Sequence, residues 1–178
     1  MIAVFLAIGF EEIEALATVD ILRRAGLNVV TVGVGTKRPM GAHNIEVIAD
    51  KLDKDLSLDS LSAVILPGGM PGTLNLEQSP MVQTAIKHAV EHQLPIGAIC
   101  AAPSILGHLG LLQGKKATCY PGFESELTGA TLCDGVVTDG NITTASGAGV
   151  AVDFALELVS RLVSAEKAEE IRRGMQCR

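Results

Sequence analysis

The sequence predicts one doubly wound α/β domain, built on a mostly parallel β-sheet with helices on both faces. The chain of 178 residues is 48% hydrophobic but only 3% aromatic, so Val, Ile, Leu and Ala must form its core. Such a composition favours strands that are buried on both faces, as in a parallel sheet. Short apolar runs also alternate with segments of helical periodicity, which is typical of βαβ units.

The first part of the chain predicts one complete β-α-β unit. Residues 2–8 are an apolar strand, and residues 11–25 have helical spacing, with acidic residues in the first turn and two arginines in the last. Gly26 follows at the position of a C-terminal cap, and this arrangement of charges suits the helix dipole. Residues 29–32 form the second strand. Residues 37–50 are an extended excursion, interpreted as a hairpin.

The middle of the chain predicts two more buried strands, each followed by a glycine-rich or small-residue turn. Residues 63–66 are a strand that ends at Pro67-Gly68-Gly69. A helix starts at Ser79-Pro80, because proline is favoured in a helix's first turn. Residues 95–99 form the next strand, and a helix follows Cys100.

The last third predicts three short strands and two helices. The strands are residues 117–120, 136–139 and 142–145, with a tight Gly-Asn turn between the last two. Residues 150–163 form an amphipathic helix with one apolar face. Residues 164–174 are a charged helical tail, interpreted as a solvated face.

Charge and cysteine usage argue against several classes of protein. The net charge is -6 and no basic stripe occurs, so nucleic-acid binding is not expected. The apolar start is too short to span a bilayer and lacks a positive leader, which predicts a cytoplasmic protein without a membrane segment. No CxxC pair occurs, so neither a disulfide framework nor a zinc site is expected. The four cysteines are Cys100, Cys119, Cys133 and Cys177.

Cys100 is the candidate nucleophile. It follows an apolar strand and precedes Ala101, Ala102 and a proline suited to a helix's first turn. A nucleophile on such an elbow is exposed at the sheet edge. The helix start is expected to lower the thiol pKa, and the Ala101 N–H to face an oxyanion formed beside the sulfur. The alternative is a buried structural cysteine.

Two further segments end at the same predicted edge of the sheet, where doubly wound folds bind ligands. Glu11 and Glu12 are explained equally well by the helix dipole, but Glu14 lies near the core side, where burial would raise its pKa toward neutrality. The loop at residues 67–72 lacks the ending of a phosphate-binding loop. A glycine N–H in it is a candidate second oxyanion donor.

The four histidines carry no predicted catalytic role. His88 and His92 have helical i, i+4 spacing but no third metal ligand, so a solvated helix face is the preferred interpretation. His108 is interpreted as a packing or surface residue. His43 lies in the excursion, within possible reach of a partner subunit.

Taken together, the motifs Glu-Glu-Ile-Glu, Leu-Pro-Gly-Gly, Ala-Ile-Cys-Ala-Ala-Pro and Ser-Gly-Ala-Gly resemble the ThiJ/PfpI superfamily, specifically its DJ-one (Parkinson-associated protein deglycase) branch. The resemblance covers nearly the whole chain. It implies a flavodoxin-like, class I glutamine amidotransferase-like fold and a homodimer. It also implies that Cys100 is the reactive cysteine, that Glu14 hydrogen-bonds it, and that Gly69 and Ala101 are the backbone donors around the sulfur.

Two departures from the family pattern bear on function. Tyr120 stands where several members have a histidine near the cysteine, and Ala101 stands where PfpI-type peptidases have a histidine. A Cys-His dyad is therefore unsupported, which makes an amidase or peptidase the weaker hypothesis.

Two functional hypotheses remain open. The first is a cofactor-independent enzyme for reactive carbonyls: Cys100 would add to methylglyoxal or to an early glycation adduct, and Glu14 would shuttle a proton until water releases a 2-hydroxy acid such as lactate. The second is a non-enzymatic oxidative-stress sensor or chaperone-like dimer, in which Cys100 oxidises to a sulfinate that protonated Glu14 stabilises. No cofactor or metal is expected in either case.

Overall fold

A computed structural model describes residues 1–177 and has a seven-stranded sheet at its centre. The strands are β1 (Ile2–Leu6), β2 (Val29–Gly33), β3 (Lys51–Leu52), β4 (Ala63–Leu66), β5 (Ile96–Ile99), β6 (Lys116–Ala117), β7 (Thr131–Leu132), β8 (Val136–Asp139) and β9 (Ile142–Ala145). The helices are α1 (Glu12–Arg24), α2 (Gly72–Gln78), α3 (Pro80–Glu91), α4 (Pro103–His108), α5 (Ala151–Leu162) and α6 (Ala165–Gly174).

The sheet is parallel except at one edge. Its order is β3-β2-β1-β4-β5-β9-β8, and only β8 runs antiparallel to its neighbour. The order reverses between β1 and β4, which is the switch point where doubly wound sheets place their ligands. The carboxyl ends of β1, β4 and β5 are neighbours there, so the segments that follow these strands converge.

Helices cover both faces of the sheet, because alternate strand residues point to opposite sides. On one face, Phe5 and Leu66 pack in a cluster with Leu76 of α2 and Ile86 of α3. On the other, strand residues such as Leu6 and Ile65 pack with side chains of α1 and α5. The near-absence of polar strand residues therefore reflects burial on both sides, and the predicted doubly wound fold is confirmed.

Most predicted elements are present, with four differences. The predicted strand at residues 117–120 is reduced to β6, which pairs with β7 in a separate two-stranded sheet. The chain leaves strand geometry after Ala117 because Tyr120 turns to donate its N–H to the Cys100 carbonyl, at 2.7 Å. Three elements, α2 and the two-residue strands β3 and β7, were not predicted, because none of them is long enough to show a period. The excursion at residues 37–50 does fold back on itself, through an antiparallel bridge between Met40 and Glu46.

The helices of residues 1–177 are short. The longest, α1, has 13 residues, and none of them combines the length and apolarity that crossing a membrane requires.

Candidate active site

Cys100 lies immediately after β5 in a backbone conformation that non-glycine residues rarely adopt. Its φ is 65°, in the left-handed region. Its N–H donates to the Ala145 carbonyl at 2.8 Å, and its own carbonyl accepts from Tyr120 at 2.7 Å. These two bonds hold a strained turn that lifts the side chain off the strand end. The side chain is partly exposed, so the cysteine is not the sealed structural residue of the alternative interpretation.

Glu14 lies in the first turn of α1, completely buried. Its N–H donates to the Glu11 carboxylate at 2.7 Å, so Glu11 caps the helix. Its Oε2 accepts from the Gly68 N–H at 2.8 Å. Its Oε1 is buried and has no hydrogen bond of standard geometry within residues 1–177, and Cys100 is the side chain that interacts with this carboxyl group. The structure thus brings together the two side chains that the sequence singled out.

The loop after β4 is in close contact with both Cys100 and Glu14. A Cβ added to Gly68 would lie 2.6 Å from the Cys100 Cβ and 2.9 Å from the Glu14 Oε2, so only glycine fits there. Gly69 has a φ of 88°, and its Cα faces the Glu11 N–H so closely that a Cβ would lie 2.5 Å away. The backbone N–H groups of Gly69 and Ala101 lie near the Cys100 sulfur, where they lower the pKa of the thiol.

The carboxyl group of Glu14 is poised to exchange a proton near neutral pH. Burial raises its pKa from 4.5 to about 7, and the hydrogen bonds from Gly68 and Cys100 offset only part of that rise. Both protonation states are therefore populated around pH 7. A general acid or base works best when its pKa lies near the working pH.

The pKa of Cys100 contradicts one sequence-based prediction. Burial, and next the charge of ionised Glu14, raise it to about 12, although the Gly69 and Ala101 amides lower it. The prediction of a thiol acidified by the helix start was wrong, because α4 begins only at Pro103 and the sulfur is half-buried beside a carboxylate. When Glu14 holds the proton, this repulsion disappears. Transfer of the thiol proton to Glu14 therefore avoids the repulsion that loss of the same proton to solvent would meet.

Glu12 has a structural role that the sequence did not distinguish from a dipole effect. Its carboxylate accepts from the His43 N–H at 2.7 Å and faces the His43 ring nitrogen at 2.8 Å. Burial raises the pKa of Glu12, but the hydrogen bonds from His43 outweigh burial and bring it below its ordinary value. With Glu11, these residues place three possible metal-ligating atoms within 4.8 Å of one another. Their oxygens are already committed to the helix cap and to the excursion.

Neither Tyr120 nor a histidine forms a catalytic dyad with Cys100 in the part of the chain that the structure describes. Its ring packs over Gly147, where an added Cβ would come within 3.3 Å of it. All four histidines within residues 1–177 have their ring contacts elsewhere: His43 with Glu12, His88 with His92, and His108 with Glu77 and Glu126. The geometry therefore gives a cysteine–glutamate pair, and no support for a peptidase dyad.

The sequence and the fold of this chain are similar to those of several known proteins. The model of the DJ-1/PfpI family matches residues 1–161. Protein DJ-1 homolog B of Arabidopsis thaliana is 35% identical over 97% of this chain, which spans 40% of that protein's length. The glutathione-independent glyoxalase DJR-1.2 of Caenorhabditis elegans is 33% identical, over 90% of this chain and 87% of its own. The structure of oxidized DJ-1 from Toxoplasma gondii superposes with a TM-score of 0.94 at 34% identity, covering 98% of this chain and 97% of that one.

Proposed function

The chain belongs to the DJ-1/PfpI family, and from this premise we propose that it is a cofactor-independent enzyme that converts 2-oxoaldehydes such as methylglyoxal to 2-hydroxy acids. The observation that carries the proposal is the pairing of a partly exposed Cys100 with a buried Glu14 whose pKa is about 7. The glyoxalase name of the related C. elegans protein supports it. Early glycation adducts present the same kind of carbon centre, so deglycation would use the same groups.

The first step joins substrate and sulfur. The thiol proton passes to Glu14, and the thiolate adds to the aldehyde carbon, so that a C–S bond forms and the carbonyl electron pair moves to oxygen. The amides of Gly69 and Ala101 stabilise that oxyanion as donors already directed at the sulfur. The oxygen then takes the proton from Glu14, which leaves a hemithioacetal and a carboxylate.

The second step is a proton shuttle between adjacent carbons. The Glu14 carboxylate removes the proton from C1 and returns it to C2, while the hydroxyl proton moves from the C1 oxygen to the C2 oxygen. The result is a thioester, which water hydrolyses to the 2-hydroxy acid and free Cys100. C1 is oxidised as C2 is reduced, so no external oxidant or reductant is needed.

We expect the purified protein to form lactate from methylglyoxal without glutathione, with kcat/KM rising as the pH passes through about 7. Below that pH the cysteine–glutamate pair holds two protons and cannot supply a thiolate; above it the pair holds one, because the second is lost only near 12. Lactate can be followed by NMR, with Cys100→Ala protein as the blank. A lactate yield equal to the blank, or a flat profile from pH 5 to 9, would refute the proposal.

Oxidant sensing is the second candidate function. The related T. gondii protein was solved in an oxidized form, and Cys100 of this chain is partly exposed. A sulfinate on Cys100 would accept a hydrogen bond from protonated Glu14, which burial favours near neutral pH. Both candidate functions depend on Cys100 and Glu14, the first by catalysis at the thiol and the second by oxidation of it.

We further propose that two copies of the chain associate through the apolar surface beside the site. Ile13 of α1 and Ile48 of the excursion are more than half exposed, and Leu16 and Ile45 add to the same region. The Ile45 N–H is held to Glu12 of α1, so helix and excursion form one surface. Exposed apolar patches of this kind mark association sites.

Charge placed in this surface is expected to separate the copies. Ile13→Lys should sediment as a monomer at a concentration where the parent is a dimer, because a lysine cannot be buried there unpaired. Val90→Lys, an equivalent change on the exposed side of α3, serves as the control and should leave the mass unchanged. A dimeric Ile13→Lys protein, or a monomeric parent, would show that this surface is not the interface.

A further inference from the structure

The ring of His108 lies between two carboxylates that come from different parts of the chain. Its Nδ1 lies 2.5 Å from the Glu77 Oε1, and its Nε2 lies 2.8 Å from the Glu126 Oε2. Ionised carboxylates only accept hydrogen bonds, so both ring nitrogens must donate, and the ring is an imidazolium. These three residues are referred to below as the His108 cluster.

Three segments of the chain begin near the Cys100 sulfur and end at the His108 cluster. Glu77 lies at the end of α2, which is continuous with the loop that carries Gly69 through the Thr73 N–H to Gly69 carbonyl bond of 2.9 Å. His108 is the last residue of α4, the helix that follows Cys100. Glu126 ends a short 3₁₀ turn, Glu124–Glu126, downstream of the residue that bonds the Cys100 carbonyl.

Helix α4 and the 3₁₀ turn depend on contacts with each other and with the rest of the chain for their stability. With six residues, α4 is too short to be stable alone. It packs directly on the 3₁₀ turn: a Cβ added to Gly107 would lie 2.0 Å from the Glu126 carbonyl oxygen. The side chain of His108 is 43% exposed, so its contribution comes from the two ion pairs and not from burial in the core.

We propose that His108 is a positioning residue of the cysteine site: as a bridge between Glu77 and Glu126, it fixes the segments that present Gly69 and Cys100 to the substrate. The inference rests on the proposed function, since it concerns the reactivity of the same sulfur. Donors must sit within a fraction of an ångström of the developing oxyanion to be effective. Loss of the bridge therefore lowers reactivity without removing any group from the site.

The bridge depends on pH with a definite sign. The hydrogen bonds to Glu126 and then to Glu77 raise the pKa of His108 above its ordinary 6.5. Those two carboxylates are the charged groups that face the ring, from α2 and from the 3₁₀ turn, and α4 carries no other charge. Hence the bridge is complete below this raised pKa and is lost as the pH rises through it.

Two substitutions at position 108 test the proposal in opposite directions. His108→Gln has no charge at any pH, and His108→Arg keeps its charge throughout. The rate of Cys100 alkylation by iodoacetamide and kcat for methylglyoxal are measured at pH 7 and pH 9.5, each as a ratio to the parent, so that ionisation of the thiol cancels. His88→Gln, the same change on a partly exposed histidine of α3 that lies outside the cluster, is the matched control.

At pH 7 we expect His108→Gln to lose roughly fivefold to tenfold in both rates, with KM changed less than about twofold, because misplaced donors reduce transition-state stabilisation. At pH 9.5 its ratio should be closer to one than at pH 7, while His108→Arg should exceed the parent. Glu126→Gln should show the pH 7 loss too, which guards against a folding defect of one variant. A ratio for His108→Gln that is the same at both pH values, or equal to that of His88→Gln, would overturn the proposal. The alkylation rate decides even if methylglyoxal is not a substrate.

Discussion

Glu14→Gln is expected to lower kcat for methylglyoxal about a thousandfold while making the folded protein more stable above pH 7. Glutamine preserves the shape and still accepts from the Gly68 N–H, but it neither takes the thiol proton nor moves a proton between carbons. General acid–base groups typically contribute 10²–10⁴-fold to a rate, and here one group acts in both steps.

The gain in stability follows from the raised pKa of Glu14. The folded protein binds this proton more tightly than the unfolded chain does, so the contribution is fully present below pH 4.5 and is lost as the pH rises through about 7. That rise in pKa corresponds to about 3 kcal/mol. The difference in unfolding free energy between variant and parent should therefore grow by about 3 kcal/mol from pH 4 to pH 8 in urea titrations.

Glu12→Gln is the matched control for both measurements. It lies two residues away and is nearly as buried, but its pKa is lowered, so the same change should destabilise the fold at pH 8 and affect kcat far less. If Glu14→Gln retained the parent's turnover, the proton shuttle would be excluded. The variant also separates the two candidate functions, since its amide still donates to a sulfinate. Mass spectrometry after mild peroxide should then find Cys100 sulfinate in the variant; unmodified Cys100 in the parent would argue against oxidant sensing.

Gly68→Ala is expected to reduce both activity and stability severely. The new Cβ would lie 2.6 Å from the Cys100 Cβ, 2.8 Å from the Ile99 carbonyl oxygen and 2.9 Å from the Glu14 Oε2. Two of these neighbours are fixed by the strand and the elbow, so the loop must move and carry the Gly68 N–H away from Glu14. Overpacking of this kind costs about 1–3 kcal/mol. With the donors displaced, we expect kcat to fall at least about a hundredfold.

The control for that substitution is Gly174→Ala, where an added Cβ meets nothing within 4 Å and the helix gains a better helix former. Urea unfolding and lactate formation should both remain at or above the parent's values. If Gly68→Ala matched this control in either measurement, the close approach of loop, thiol and carboxyl would not be essential to the site.

The sequence was most informative where local pattern and topology agree. The spacing of apolar residues predicts α1 and the buried strands, and the rule that parallel strands end at one edge predicts that Glu14, the loop at residues 67–72 and Cys100 converge. Gly69 itself is singled out only by the resemblance to the family. The prediction that was wrong, a lowered thiol pKa, concerns a property that depends on contacts between residues distant in sequence. The direction of the shift in the thiol pKa is set by burial and by the Glu14 carboxylate, which lies 86 positions before Cys100 in the sequence.

The same limit explains why the sequence predicts only a packing or surface residue at His108. Its partners, Glu77 and Glu126, lie 31 and 18 positions away, and nothing in the periodicity of either segment links them. Helix α2 was missed for a related reason: its seven residues begin at a glycine and are held mainly by packing against the core. A histidine within reach of two separated acidic residues is a signal that only the folded chain displays.

The left-handed backbone of Cys100 has a consequence for protein engineering. Glycine or asparagine would occupy that conformation at lower cost, just as glutamine would relieve the buried carboxyl group nearby. Directed evolution that selects for thermal stability alone would therefore favour inactive proteins. The substitutions expected to stabilise the fold most directly replace Cys100 and Glu14, the two side chains of the proposed reaction. Turnover has to be screened alongside thermal resistance for this scaffold to keep its function.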